Sequence, residues 1–401
     1  MKILSITAQK PTATGSGVYL SELMRCWRDA GHSQALVAGF AREDPLQAPE
    51  GVRLYPVRYG SEELPYEVLG MSDEMPYDST RYRDLDETRL RQFGESFHRA
   101  VAEAVEKENP DWIICHHLYL LTALVRQWFP DRRICGICHG SDLRQIVKLP
   151  TLAREVLPWI PKLDRIIALH EAQKQEICRR FGCAPEQVAV LGAGYNRRIF
   201  HKVRSRRKSP NAPKQLRFAG KITEKKGIFS LLRSLELLPY PADELRVVLA
   251  GGFSSEEESR RIRLMAADCK YIVEFPGVLS QQALAELCRQ SDVFVLPSFY
   301  EGLPLVTIEA MACGCRVVCT DLPGVQEWFR ANIPQQKAEF VALPPRLDAD
   351  EIAPEELPAF EHRLAQALTK KLSQRYREYP DLTGVSWEGV SRRLENLLYE
   401  N

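Results

Sequence analysis

Short unbroken apolar runs, each closed by glycine, proline or a polar cluster and followed by a stretch with apolar residues three and four apart, recur along nearly the whole chain. In the first half the strand-like runs are Lys2 to Thr7, Gln34 to Ala38, Val52 to Val57, Trp112 to Cys115, Arg133 to Cys138 and Asp164 to Leu169. In the second they are Leu216 to Ala219, Arg246 to Ala250, Tyr271 to Phe275, Val293 to Leu296 and Arg316 to Cys319. Runs that do not alternate with polar residues predict strands buried on both faces, as in parallel sheets. Helical periodicity follows at Gly17 to Ala30, Asp86 to Asn109 and Ile228 to Leu237, from PGVLS to Gln290, and near Pro354 to Ser373 and Trp387 to Leu398. Strand then helix, repeated, predicts doubly wound α/β sheets. One stretch, Tyr59 to Asp84, has no clear period and reads either as a solvated loop or as a loop that binds a substrate.

The 401 residues are long for one core and divide naturally into two domains. We place the first at residues 1–200, a basic linker with Pro210 and Pro213 at 201–214, the second domain at 215–380 and a terminal helix at 381–401. A formal net charge of +1 gives no reason to expect nucleic acid as a partner. The linker run KVRSRRK reads as a solvated hinge that could touch anionic lipid. With no run of 18 apolar residues and a start, MKILSITA, too short for a signal peptide, a cytoplasmic protein is expected. The eleven cysteines are scattered. Cys135 and Cys138 form a C-x-x-C without a second pair, so buried thiols are a better reading than a zinc or redox site. The aspartate pairs Asp84 with Asp86 and Asp348 with Asp350 lie away from strand ends and read as solvated acids, so no metal is expected.

The densest chemistry lies between Asp292 and Thr320. After a strand, a loop carries Glu301 and Gly302, Pro304 is expected as the first helical residue, and Glu309 stands one and a half turns in. The free N–H groups of such a helix start suit a phosphate oxygen, and carboxylates on either side suit vicinal hydroxyls. Leu305, Ile308 and Ala312 are expected to share its buried face. Earlier, Lys221 and Lys226 flank a turn at another helix start, again suited to a diphosphate. In the first domain the polar residues at strand ends are His116, His117, Tyr119, His139, Gly140, Ser141, Asp142 and Arg144, while Gly15, Ser16 and Gly17 open the first helix. Ligands of open α/β sheets bind at such ends.

The segment LPSFYEGLPLVTIEAMACGCRVV resembles the signature of the retaining family 4 glycosyltransferases of GT-B fold, and weaker likeness extends over most of the chain. The resemblance implies two Rossmann-like domains facing across a cleft, with the nucleotide-sugar donor on the second and the last helix, through Trp387, Leu394, Leu397 and Leu398, returning to the first. It implies donor contacts at Gly17, Lys221, Lys226, Val278, Leu279, Glu301, Gly302, Leu303, Pro304, Leu305 and Glu309. His139, in HGSD, matches the family histidine beside the donor sugar, so His139, Glu301 and Lys226 are the expected catalytic set. Lys221 stands where relatives usually have arginine, and His170 where they usually have serine, a departure read here as the mark of a particular acceptor. No cofactor or metal is implied beyond the donor, for which a UDP-sugar is the first choice.

By elimination the acceptor hydroxyl should rest mainly on the first domain. Ser16, Arg81, Tyr82, His117 and Asp142 are its candidates. The segment Gly70 to Arg83 attracts notice because Met71, Met75, Tyr77 and Tyr82 offer apolar contact and Asp73, Arg81 and Arg83 offer charge. Rival readings are a GT-B relative with epimerase or phosphorylase chemistry and a sugar-nucleotide-binding protein without catalysis. The phosphorylase lacks any evident pyridoxal-lysine context.

Overall fold

The computed structural model describes residues 1–12, 14–72, 75–203, 212–345, 352–374 and 379–400. Asp73, the run 204–208 of the basic linker, and Asp348 with Asp350 lie outside them. The chain forms two compact units, Met1–Ala193 with Trp387–Asn401, and Gly194–Ser386.

In the first unit the strands are β1 (Lys2–Thr7), β2 (Ser33–Phe40), β3 (Val52–Arg58), the short β4 (Leu69–Gly70) and β5 (Thr80–Arg81), β6 (Trp112–His116), β7 (Ile134–Ile137), β8 (Arg165–Ala168) and β9 (Val188–Val190). The helices are α1 (Gly15–Asp29), α2 (Glu87–Glu108), α3 (Leu120–Trp128), α4 (Ser141–Lys148), α5 (Pro150–Val156) and α6 (Glu171–Phe181). Seven strands pair in parallel in the order β3-β2-β1-β6-β7-β8-β9. The chain winds outward from β1 in one direction and from β6 in the other, so the order reverses between them. Adjacent loops diverge at that point, which opens a crevice at the carboxyl ends of the strands.

The stretch Tyr59 to Asp84 is not a plain solvated loop. Tyr59, Leu64, Tyr66, Val68, Leu69, Met71 and Tyr82 join the hydrophobic core, and β4 and β5 pair beside it. It lacks a period because buried side chains are supplied one at a time from turns and two-residue strands, which neither a 2.0 nor a 3.6 repeat describes.

The second unit contains β10 (Lys214–Ala219), α7 (Ile228–Glu236), β11 (Leu245–Ala250), α8 (Glu256–Ala267), β12 (Ile272–Glu274), α9 (Gln281–Gln290) and β13 (Val293–Leu296). It continues with α10 (Leu305–Ala312), β14 (Arg316–Asp321), α11 (Val325–Asn332), β15 (Glu339–Ala342) and α12 (Leu357–Ser373). Its six parallel strands run β12-β11-β10-β13-β14-β15, with the reversal between β10 and β13. The last helix, α13 (Trp387–Tyr399), belongs to the first unit. Trp387 is fully buried and packs edge-on to Tyr19 of α1 at 4.9 Å, and the Glu388 carboxylate meets Arg25 at 3.1 Å. Leu394 and Leu398 are buried with it, and the Leu398 carbonyl accepts a hydrogen bond from the Trp112 indole.

Helix α10 begins one residue later than expected, with Pro304 as its cap. Its buried residues are Thr307, Ile308, Glu309, Ala310 and Met311, whereas Leu305 and Ala312 are half-exposed. The stretch from β13 to β14 thus lodges a carboxylate in the interior of a helix that is apolar on nearly every side.

Candidate functional site

At the reversal point of the second unit, four strand-end turns are locked together through their backbones. The N–H of Gly220, after β10, bonds the Ala250 carbonyl, Ile222 bonds Gly252, and Gly251 bonds Gly277. A side chain at Gly251 would lie 1.7 Å from the Gly220 oxygen, and one at Gly227 (φ +70°) would lie 2.1 Å from the Pro297 oxygen. Only glycine permits these approaches. The contact at Pro297, with a Phe299 N–H to Lys225 carbonyl bond of 3.0 Å, fastens the turn bearing Lys226 to the loop bearing Glu301.

Across that contact the Lys226 ammonium donates to Glu301 Oε1 at 2.6 Å, both side chains being largely sheltered from solvent. The helices that start here, α7 behind Gly227 and α10 behind Pro304, have no side-chain cap. Of the other helices in this unit, α8 and α9 are capped by Ser255 and Ser280, whereas α11 and α12 also lack a side-chain cap. Two helix N-termini without a side-chain acceptor, beside a lysine, form a local electropositive focus. Glu309 lies buried one turn into α10. Leu303 and Pro304 are buried, so they shape the loop by packing, while Glu301, Gly302 and Lys221 stay half-buried. Val278 is 80 % exposed, and Leu279 beside it is half-buried.

Phe253, Ser254, Ser259 and Arg263 line a cavity of about 650 Å³ at the end of β11. The Arg263 guanidinium lies over the rings of Phe253 and Phe275, at 4.8 and 5.0 Å. Sequence reasoning missed these residues. The available signal was an aromatic residue within three positions of each of two strand ends, in Gly-Gly-Phe after β11 and Glu-Phe-Pro after β12.

In the first unit the reversal point gathers three histidines. His116 ends β6 and His117 follows it in the left-handed region (φ +73°), a conformation costly for a residue with a Cβ and maintained here by surrounding bonds. The His117 Nε2 lies 3.2 Å from both Gln9 Oε1 and Ser16 Oγ, and its Nδ1 is 3.5 Å from Ser141 Oγ. His116 Nδ1 and His139 Nε2 are 3.0 Å apart. Burial lowers the pKa of all three rings, that of His116 to about 3, so they are neutral at physiological pH. Gln9, unremarked in the sequence, is buried and ties the loop after β1 to this cluster.

Several first-domain candidates take other roles. Asp142 is fully buried and accepts from the N–H groups of Leu118, His139 and Leu143, so it organises the loops instead of facing a ligand. The Cys138 thiol also donates to it, at 3.3 Å. Cys135 and Cys138 are both buried thiols with pKa values raised by burial, and no cluster of three metal-ligating side chains exists among the described residues. Tyr82 is a core residue set edge-on against Tyr119, and Arg81 is exposed and pairs with Asp84 at 2.7 Å. Asp86 caps α2 through the Arg89 N–H. The Gly17 N–H is used by the Thr14 cap, and a side chain at Gly17 would lie 2.9 Å from the Pro11 oxygen, so this glycine serves loop packing. His170 Nδ1 accepts from the Gln173 N–H and caps α6, the same task a serine performs at a helix start.

Two family models match the chain, Glycosyltransferase Family 4 over residues 13–198 and Glycosyl transferases group 1 over residues 200–354. A D-inositol 3-phosphate glycosyltransferase of Kineococcus radiotolerans is 26 % identical over 78 % of this chain and 74 % of its own. Among solved structures, the sucrose-phosphate synthase of Thermosynechococcus elongatus superimposes with a TM-score of 0.68 at 20 % identity, covering 100 % of this chain and 98 % of that one. The Anabaena protein HepE, in complex with UDP and glucose, superimposes with a TM-score of 0.65 at 14 % identity over 100 % of both chains. At such identities the structural likeness establishes the GT-B fold.

Proposed function

Given that this chain belongs to the family 4 glycosyltransferases, we propose that it transfers a sugar from a nucleoside diphosphate donor, a UDP-sugar in the first instance, to an acceptor hydroxyl, with retention of anomeric configuration and without a required metal. The observation that carries this reading is the pair of uncapped helix starts beside the Lys226–Glu301 ion pair. A diphosphate there would accept from the N–H groups of α7 and α10 and draw the Lys226 ammonium toward itself. Glu301 would then be released to accept from a sugar hydroxyl, and Glu309 would take the ribose. Val278 and the neighbouring turn would face the base. The complex of HepE with UDP and glucose supports the choice of uridine among the possible nucleotides.

In the reaction the bond between the anomeric carbon and the phosphate oxygen breaks while the acceptor oxygen attacks the same face. The acceptor proton passes to a phosphate oxygen, and the nucleoside diphosphate leaves. Charge growing on that diphosphate meets positive groups already in place, the arrangement in which electrostatic stabilisation is largest. Lysine and helix N–H groups thus take the part that a divalent cation would otherwise play. The test is incubation with UDP-, GDP- and ADP-sugars in EDTA, following release of free nucleoside diphosphate and the anomeric configuration of the product. A dependence on added magnesium, or an inverted product, would refute the reading.

A further inference from the structure

His116 and His139 come from different loops, yet their rings stack within 10° of parallel with centroids 5.2 Å apart and share the 3.0 Å Nδ1 to Nε2 contact. Tyr19 stands edge-on to both, at 6.4 and 5.3 Å, and restricts their swing. The backbone of His139 is fixed separately, since its N–H donates to Asp142 Oδ2 at 3.2 Å. Both rings are neutral, because burial and the neighbouring histidines disfavour a charge on either. Each therefore carries one N–H, and the shared contact requires that one ring donate and the other accept.

The direction follows from the far side of His116. Its Nε2 is buried and has no hydrogen-bond partner among the described residues. If the His116 proton were on Nε2, the structure would bury an orphan N–H, which is rarer and costlier than a bare acceptor lone pair. The proton therefore belongs on Nδ1, where it has an acceptor 3.0 Å away. With Nε2 of His139 accepting, the single proton of His139 is left on its Nδ1.

We propose that His116 is a positioning residue, whose Nδ1–H bond fixes the His139 imidazole as the Nδ1–H tautomer so that it offers a donor at Nδ1 to a hydroxyl oxygen of the donor sugar. The last step rests on the reading of His139 as the residue beside that sugar. The tautomer assignment does not depend on it, standing on this geometry together with the neutrality of both rings.

Long-range proton–nitrogen spectra of the full chain, labelled with nitrogen-15 in histidine and assigned by the loss of one ring in His139→Ala, read the tautomer directly. The expected result is His139 as Nδ1–H in the unaltered protein, a mixture of tautomers in His116→Phe, and return to Nδ1–H in His116→Asn, whose amide N–H takes the place of the imidazole Nδ1–H. An Nε2–H signal for His139 in the unaltered protein overturns the proposal without recourse to any variant. In donor turnover, His116→Phe should lower kcat/KM about 3- to 10-fold, the worth of one neutral hydrogen bond, and His116→Asn should recover most of it. If the tautomer shifts in His116→Phe while kcat/KM stays the same, the bond is real but His139 does not serve the sugar, which overturns its functional half.

Discussion

Glu309 is the residue on which the donor assignment can be weighed most simply. Glu309 is buried one turn into α10, and the task proposed for its carboxylate is to accept from a ligand hydroxyl. If that task is the ribose, Glu309→Ala removes a charge-assisted bond of about 1.5 to 3 kcal/mol, or roughly 10- to 150-fold in donor affinity. Calorimetry with the nucleoside diphosphate would measure it, and unchanged affinity would remove Glu309 from the site. The neutral histidines give a second prediction at this scale. Their folded-state pKa values lie below the ordinary value near 6.5, so the unfolded chain binds more protons as the pH falls. The stability they contribute is complete above about pH 6.5 and is lost progressively toward the folded pKa, about 3 for His116. Thermal midpoints should therefore decline between pH 7 and pH 5, with a shallower slope in His116→Phe; equal slopes would show that His116 is not the group titrating. The sequence already directs attention to Glu301, Lys226 and His139, which lie in the connections that follow β13, β10 and β7. The Lys226–Glu301 bond was not legible, because nothing local in either sequence specifies a partner 75 residues away.

Among elements, the strand and helix pattern was easy to read wherever one period held for a full element. Runs such as Val293–Leu296 could be bounded to the residue because proline and charged residues punctuate them. The stretch from Tyr59 to Asp84 resisted because its buried residues come from turns. One consequence is that excising Met71 to Tyr82, an attractive way to probe an acceptor loop from sequence, would remove two core side chains and destabilise the first unit. His170 was misleading for a different reason, since its substitution for serine preserves a helix cap and needs no acceptor to explain it. The turn that carries Lys226 offers a cleaner test of an element. Gly227→Ala places a methyl group against the Pro297 oxygen and must push the Lys226 turn away from the Glu301 loop. It should weaken nucleotide affinity as well as stability. Gly182→Ala, with a similar positive φ but open space around it, should cost about 1 kcal/mol of stability and leave nucleotide affinity alone. Calorimetry on the two variants, with thermal melts beside it, distinguishes these outcomes.

For the whole molecule, both units follow one plan, a parallel sheet whose strand order reverses beside its first strand, and in each the polar residues collect at that reversal. The donor assignment concentrates in the second unit, and its central claim is that helix N-termini and Lys226, without a metal, bind a nucleoside diphosphate. Thermal melts with UDP, GDP and ADP in excess EDTA test that claim most directly. A nucleotide at 100 times its dissociation constant stabilises by about 2.7 kcal/mol, enough to move the midpoint of a unit this size by roughly 5 to 10 °C. Such a shift is expected with at least one of the three nucleotides and should be largely lost in Lys226→Ala. A shift that appears only with magnesium, or that persists undiminished in Lys226→Ala, would contradict the claim.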